Sequence, residues 1–250
     1  MARRRCPRGT GVRGVNPRAA PPGRGRAHGG GDRAGGAART SLRVAAAPAG
    51  GPASAGRVIA GRARGIRLGA PGEGTRPLAD RVKQALFAIL EPGLPGARVL
   101  DLFAGSGAAG IEALSRGAST AVFVERDPAA VATIRANLER THLSGPAASV
   151  VRADAIAWLA TPAPAGQFDL AFVDPPYDRP ELLVAALERL GSGNLLAPAA
   201  MVVAKHFWRD QPPDSVGLLA SERERRFGET TLTFYRLPAD GRPRPDQEDA

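Results

Sequence analysis

From residue 98 onward, short apolar runs alternate with stretches of helical periodicity. The runs "RVLDLF" (98–103), "TAVFVE" (120–125), "ASVVRA" (148–153), "FDLAFVD" (168–174) and "AMVVAKH" (200–206) predict β-strands. Helices are predicted between them near 108–116, 128–141, 155–160 and 180–190. Strand and helix alternating in this way predict an α/β fold whose mostly parallel sheet is covered on both faces. The rhythm breaks at the end. "LLASERERRF" (218–227) and "ETTLTFYRL" (229–237) flank Gly228 with no helix between them, and they predict a terminal antiparallel hairpin.

A different pattern precedes this region. "RVIAGRARGIRL" (57–68) alternates well enough for a β-ribbon, with Arg62 and Arg64 on one face and Gly61, Gly65 and Gly69 as punctuation. "TRPLADRVKQALFAIL" (75–90) then sets Leu78, Val82, Ala85, Leu86 and Ile89 at helical spacing, behind Pro77 at a first-turn position. The chain therefore divides into a tail (1–56), a ribbon plus helix (57–92), an α/β domain (93–238) and a second tail (239–250).

Charge sharpens that division. The net charge is +10, and residues 1–56 hold eleven arginines against Asp32 alone, whereas residues 57–250 carry 23 basic and 23 acidic side chains. The first tail is Gly, Pro, Ala and Arg without periodicity, and it lacks the branched and aromatic residues that offset chain entropy, so disorder is expected there. It reads either as an arm drawn to polyanions or as translated upstream sequence of a GC-rich gene. Within 57–90, Arg57, Arg62, Arg64, Arg67, Arg76, Arg81 and Lys83 face only Glu73 and Asp80. Seven cations on a small element predict contact with nucleic-acid phosphates. Cys6 is the sole cysteine, so no intramolecular disulfide forms, and His142 and His206 have no metal constellation around them. No apolar segment is long enough for a signal h-region or a membrane span. A soluble, cytoplasmic chain is expected, and with no extended helical interface in view, a monomer.

Open parallel sheets bind ligands beyond the carboxyl ends of their strands. "DLFAGSGAAG" follows the first strand of the α/β domain, Glu125 ends the second, Asp154 follows the third and "DPPY" the fourth. Gly105, Gly107 and Gly110 satisfy G-x-G-x-x-G with Glu125 twenty positions beyond Gly105, the spacing of a dinucleotide fold. However, Asp101 precedes the glycines and acids occupy the later strand ends. Such a rim suits a cationic sulfonium better than a diphosphate, which points to S-adenosylmethionine.

These motifs together resemble the class I S-adenosylmethionine-dependent methyltransferases. More narrowly, "RVIAGRARGIRL", "TRPLADRVKQALFAIL" and "DPPY", in that order, resemble the RsmD family of small-subunit rRNA guanine-N2-methyltransferases, over about Arg57 to Pro238. The resemblance implies a Rossmann-like, mostly parallel seven-stranded sheet behind a basic ribbon, and methylation of one guanine in 16S rRNA or in a small-subunit assembly intermediate. It places the methionine moiety over Phe103, Ala104, Gly105, Ser106 and Gly107, with Asp101 near its amino group. It assigns the ribose hydroxyls to Glu125 and the adenine edge to Asp154 with the Ala155 backbone. The sequence departs from the family pattern at Leu78, where threonine is common, and at Ala88, where asparagine is frequent.

The tetrad Asp174, Pro175, Pro176 and Tyr177 fits amine methylation on chemical grounds. An exocyclic amine is a poor nucleophile until its nitrogen pyramidalises, and the Asp174 carboxylate with the Pro175 carbonyl can accept from its two hydrogens. Two prolines restrict the backbone so that the carbonyl is held ready, and Tyr177 offers a flat face to an extruded base. The tetrad alone does not separate guanine-N2 from adenine-N6 methylation of DNA or RNA. A non-catalytic RNA-binding assembly factor is a further reading.

Overall fold

The computed structural model describes residues 54–72, 79–161, 168–192 and 194–240. The tail before Ser54, Arg76 with Leu78, and residues 241–250 lie outside the described residues. Among the described residues, ten strands and five α-helices follow in the order β1 (Ser54–Arg57), β2 (Arg67–Gly69), α1 (Asp80–Leu90), β3 (Arg98–Leu102), α2 (Ala108–Ser115), β4 (Thr120–Glu125), α3 (Pro128–Arg140), β5 (Ala148–Arg152), α4 (Ala155–Leu159), β6 (Phe168–Val173), α5 (Glu181–Ser192), β7 (Leu196–Phe207), β8 (Ser215–Val216), β9 (Leu219–Phe227) and β10 (Thr230–Arg236).

The main sheet has eight strands in the order β5-β4-β3-β6-β7-β10-β9-β8, parallel from β5 to β7 and antiparallel beyond. The expectation was seven. The addition is β8, a two-residue edge strand paired to β9 and too short to leave a hydrophobic signature. β9 and β10 are joined by a two-residue turn in which Gly228 takes φ +63°, a conformation glycine adopts without steric cost.

Alternation along each strand sends side chains to two layers. Val99, Phe172, Val203 and Phe234 pack with α1, α2 and α3, while Leu100, Val173, Val202 and Tyr235 pack with α4 and α5. The chain runs outward from β3 to β4 and β5, then returns to the other side of β3 as β6. This reversal opens a crevice beyond the carboxyl ends of β3 and β6.

The N-terminal ribbon differs from expectation in extent. Its strands are short, β1 begins at Ser54 inside the segment assigned to the tail, and residues 58–66 form turns rather than a continuous strand. Side chains of the α/β domain hold it. The fully buried Glu112 accepts from the backbone N–H of Ile59 (2.7 Å) and Ala60 (3.0 Å), and Ser115 Oγ accepts from Ala63 N–H (3.0 Å) while donating to the Ala60 carbonyl (2.6 Å). A Cβ at Gly61 would stand 1.9 Å from the Ser115 carbonyl oxygen, so this close approach needs glycine. Asn137 completes the attachment. Its side chain accepts from Gly69 N–H (2.8 Å) and donates to the Gly69 carbonyl (2.9 Å).

Candidate active site at the carboxyl ends of the central strands

A cleft of about 830 Å³ lies beyond the ends of β3, β4 and β6. Its size is that of a pocket for a cofactor-sized ligand. Phe103, Ala104, Gly105 and Ser106 line it after β3, together with Asp101, Glu125, Ala155, Asp174, Pro175, Pro176 and Tyr177. The strand-end motifs, far apart in the chain, therefore share one cavity.

The loop after β3 turns sharply. Phe103 (φ +57°), Gly105 (φ +55°) and Gly107 (φ +76°) are left-handed, and Phe103 pays for that conformation because it carries a Cβ. Surrounding hydrogen bonds hold the turn. Gly105 N–H donates to Glu125 Oε2 (2.8 Å), Asp127 N–H to Glu125 Oε1 (2.9 Å), and Asn137 Nδ2 to the Ser106 carbonyl (2.9 Å). Gly107 is the N-cap of α2 and, unlike Phe103 to Ser106, does not line the cavity; an added Cβ there would press on Ile134 at 3.2 Å. Gly110 allows α2 to pack on β4, since a Cβ there would meet the Phe123 ring at 2.4 Å.

Asp101 is buried, and one of its oxygens accepts from Gly110 N–H (2.9 Å). Burial pushes its carboxyl up to about 8; the Gly110 hydrogen bond opposes this, and the nearby Asp174 and Glu125 charges reinforce it. Among the described residues no basic side chain lies within ion-pair distance of it. A carboxyl in that position is suited to receive a cationic ligand group.

Asp174 stands at the end of β6, where its backbone N–H reaches the Leu102 carbonyl (3.4 Å). Its partner is Lys205 on β7. Lys205 Nζ donates to both carboxylate oxygens at 2.8 and 2.7 Å, and lies 5.2 Å from the centroid of the Tyr177 ring. Burial pulls the Lys205 ammonium down, but the Asp174 carboxylate that it hydrogen-bonds outweighs this, and the net shift is upward, so the lysine stays charged. Tyr177 is fixed at the other end by its hydroxyl, 2.9 Å from Thr230 Oγ1, and packs at 6.3 Å on Phe207. Lys205 was not among the residues expected in the site. The available signal was a lysine within the apolar run "AMVVAKH", because a buried ammonium requires a carboxylate partner.

Besides Gly107, two expected site residues stand elsewhere. Asp154 is the N-cap of α4, where Oδ1 accepts from Ile156 and Ala157 N–H, both at 3.0 Å; Ala153 and Ala155 line the cleft, and Asp154 does not. Lys83 does not face solvent. It is fully buried on α1, donating to the Arg57 carbonyl and lying 3.7 Å from Asp80, so it ties the helix to the ribbon instead of contacting phosphates. Its spacing with Phe87 and Leu90, both buried, shows that the packed face of α1 is wider than the apolar positions alone indicate. Arg57, Arg62, Arg64, Arg67 and Arg81 are exposed. Arg57 is paired with Asp80 at 2.9 Å.

Residues 56–236 match the family model described as Conserved hypothetical protein 95. Ribosomal RNA small subunit methyltransferase D of Haemophilus influenzae is 38% identical over 185 residues, which is 72% of this chain and 92% of that protein. Its Escherichia coli counterpart is 35% identical over 189 residues, 74% of this chain and 91% of that protein. The chain belongs to this family. The solved structure of yhhF, a candidate methyltransferase from Escherichia coli, superimposes with a TM-score of 0.64 at 35% identity, over 73% of this chain and 98% of that one. The match runs from the ribbon through the terminal hairpin. The small subunit methyltransferase D family thus accounts for both the basic element and the sheet, and leaves the N-terminal tail as an addition.

Proposed function

We propose that the protein methylates the exocyclic N2 amine of one guanine in 16S rRNA, in the cytoplasm and as a monomer, using S-adenosylmethionine. The observation that carries this reading is the cleft itself, where the acid-lined cofactor rim and the Asp174–Tyr177 tetrad share one cavity bordered by Ala55, Ala70 and Pro71 of the ribbon. Family membership and the names of the relatives support the rRNA substrate. The exposed arginines of the ribbon, Arg57, Arg62, Arg64 and Arg67, with Arg81 on α1, would hold phosphates on one side of the opening.

The residues present fit the cofactor. Asp101 would face its amino group, Glu125 its ribose, with lone pairs left after the two backbone amides it already accepts from, and the backbone near Ala155 its adenine. The cofactor supplies an electrophilic methyl group on a sulfonium centre. The remaining work falls to the chain. The Asp174 carboxylate and the Pro175 carbonyl accept from the two amine hydrogens and favour the pyramidal nitrogen. Lys205, which also lines the cleft, fixes the orientation of the carboxylate through both oxygens. After transfer the nitrogen carries one bond too many and loses a proton, for which Asp174 is the adjacent acceptor. Tyr177, held by Thr230, presents its ring to the base.

The test is nucleoside mass spectrometry, with site mapping, on small-subunit rRNA from cells lacking the protein and from complemented cells. The expected result is one missing N2-methylguanine that the wild-type gene restores and Asp174→Ala does not. Loss of an N6-methyladenine instead, or no change in any modified nucleoside, overturns the reading.

A further inference from the structure

Three aromatic rings run outward from the tetrad. Tyr177 packs on Phe207 with centroids 6.3 Å apart, and Phe207 on Trp208 at 6.1 Å, each pair tilted by 50°. Phe207 lines the cleft, and Trp208 lies beyond the end of β7, only half-buried. None of the three rings belongs to either apolar core among the described residues. Trp208 also carries cations. The guanidinium carbons of Arg226 and Arg209 lie 4.0 and 4.8 Å from its ring centroid. The backbone fixes this group. The backbone N–H of Trp208 donates to the Glu229 carbonyl (3.0 Å) and Arg226 Nε to the Gly228 carbonyl (2.9 Å), so the Trp208 backbone and the Arg226 guanidinium are anchored on the same β9–β10 turn.

We propose that Phe207, Trp208, Arg209 and Arg226 form a stacking platform for an unpaired nucleotide next to the target base in RNA. The proposal rests on the methylation reading and adds to it where the strand lies. A base that enters the cleft must leave its stack, and its neighbours then expose faces that an aromatic ring or a planar guanidinium can cover. Every base has such a face, so the platform grips without reading sequence. The guanidinium groups add donors for the adjoining phosphate. The position is also apt. The ribbon's Ala55, Ala70 and Pro71 line the same cleft as Phe207 and Glu229, so an extruded base would have both elements within the cavity that receives it.

The chain contains two tryptophans, Trp158 and Trp208, so Trp158→Phe leaves Trp208 as the sole reporter of this surface. That variant is titrated with uridine and adenosine homopolymers, with a blunt RNA duplex, and with a poly-glutamate peptide. Both single strands should quench Trp208 emission saturably, and duplex and peptide should not. In the otherwise native chain, Trp208→Ala should weaken RNA binding and raise the KM for under-methylated small-subunit RNA roughly ten-fold, with cofactor affinity unchanged. Trp208→Phe should retain most of the affinity, which separates loss of stacking from loss of fold. Unchanged emission on RNA binding, or a wild-type KM in Trp208→Ala, overturns the platform while methylation stands. Quenching by the acidic peptide as strong as by RNA overturns it in favour of a protein partner. If the wild-type protein methylates no rRNA yet Trp208 is quenched, the methylation reading fails and the RNA platform survives.

Discussion

Asp101 and Asp174 stand at the carboxyl ends of neighbouring strands, β3 and β6, yet their surroundings are opposite. Asp101 is buried, takes one hydrogen bond from Gly110, and has its carboxyl pushed up to about 8. Asp174 keeps 38% of its side chain exposed and is bound through both oxygens by Lys205. One carboxyl awaits a cation from outside. The other has a cation supplied by the fold. The difference matches a division of labour in which the first binds a positively charged ligand and the second keeps its orientation while a neutral amine comes and goes.

The largest effect is expected at Asp174. Replacing it with alanine should lower methyl transfer at least ~100-fold, with cofactor affinity measured by calorimetry unchanged. Normal turnover would end the catalytic assignment.

Asp101→Asn tests the other half and should weaken cofactor binding roughly 30-fold. Its pH dependence has a defined sign. With the folded carboxyl raised to about 8 and the unfolded one in the ordinary carboxylate range near 4, the folded protein holds a proton that the unfolded chain does not between those values. Stability without ligand should therefore fall as pH rises from about 4 to about 8, then level off. Affinity for the cationic cofactor should climb over the upper part of that window, because only the ionised carboxyl attracts it. Asp101→Asn should flatten both profiles in thermal and binding titrations. A cofactor affinity independent of pH in the wild-type chain would break the contrast between the two acids.

Lys205→Met should cost about ten-fold in kcat by letting the Asp174 carboxylate turn, with cofactor affinity unaffected. Lys205→Arg should restore part of it, whereas an unchanged kcat in the methionine variant would show that Asp174 needs no support. The smallest effect is expected at the opposite ends of the same strands. Arg98 and Asp169 join β3 to β6 at 3.0 Å but are 40% and 38% exposed, so solvent screens the pair. Arg98→Ala should change stability by no more than ~1 kcal/mol in denaturant titrations and leave activity intact.

Much of this site was legible before folding, and the reason is local. Apolar runs alternating with helical periodicity give the parallel sheet, and a ligand at strand ends follows from that geometry, so Asp101, Glu125 and the Asp174–Tyr177 tetrad can be found by asking what terminates each strand. Asp154 followed the same rule and departs from it, because its short acceptor side chain does better capping α4 than facing the cleft. Lys83 shows the limit of charge patterns. A lysine beside exposed arginines looks like another phosphate contact until the helix is seen to bury it.

The amino-acid sequence by itself determined the alternation of strands and helices from residue 98 onward, the glycine-rich loop, the strand-end acids and the concentration of arginine before residue 69, since each depends on neighbours within a few positions. Only the tertiary structure decided which acid received a cation. Lys205 is 31 positions from Asp174 and reaches it because β7 pairs in parallel with β6. Likewise Glu112, Ser115 and Asn137 bind the ribbon across more than fifty residues of chain. Buried polar groups must find partners wherever the fold brings them, and that choice depends on packing rather than periodicity.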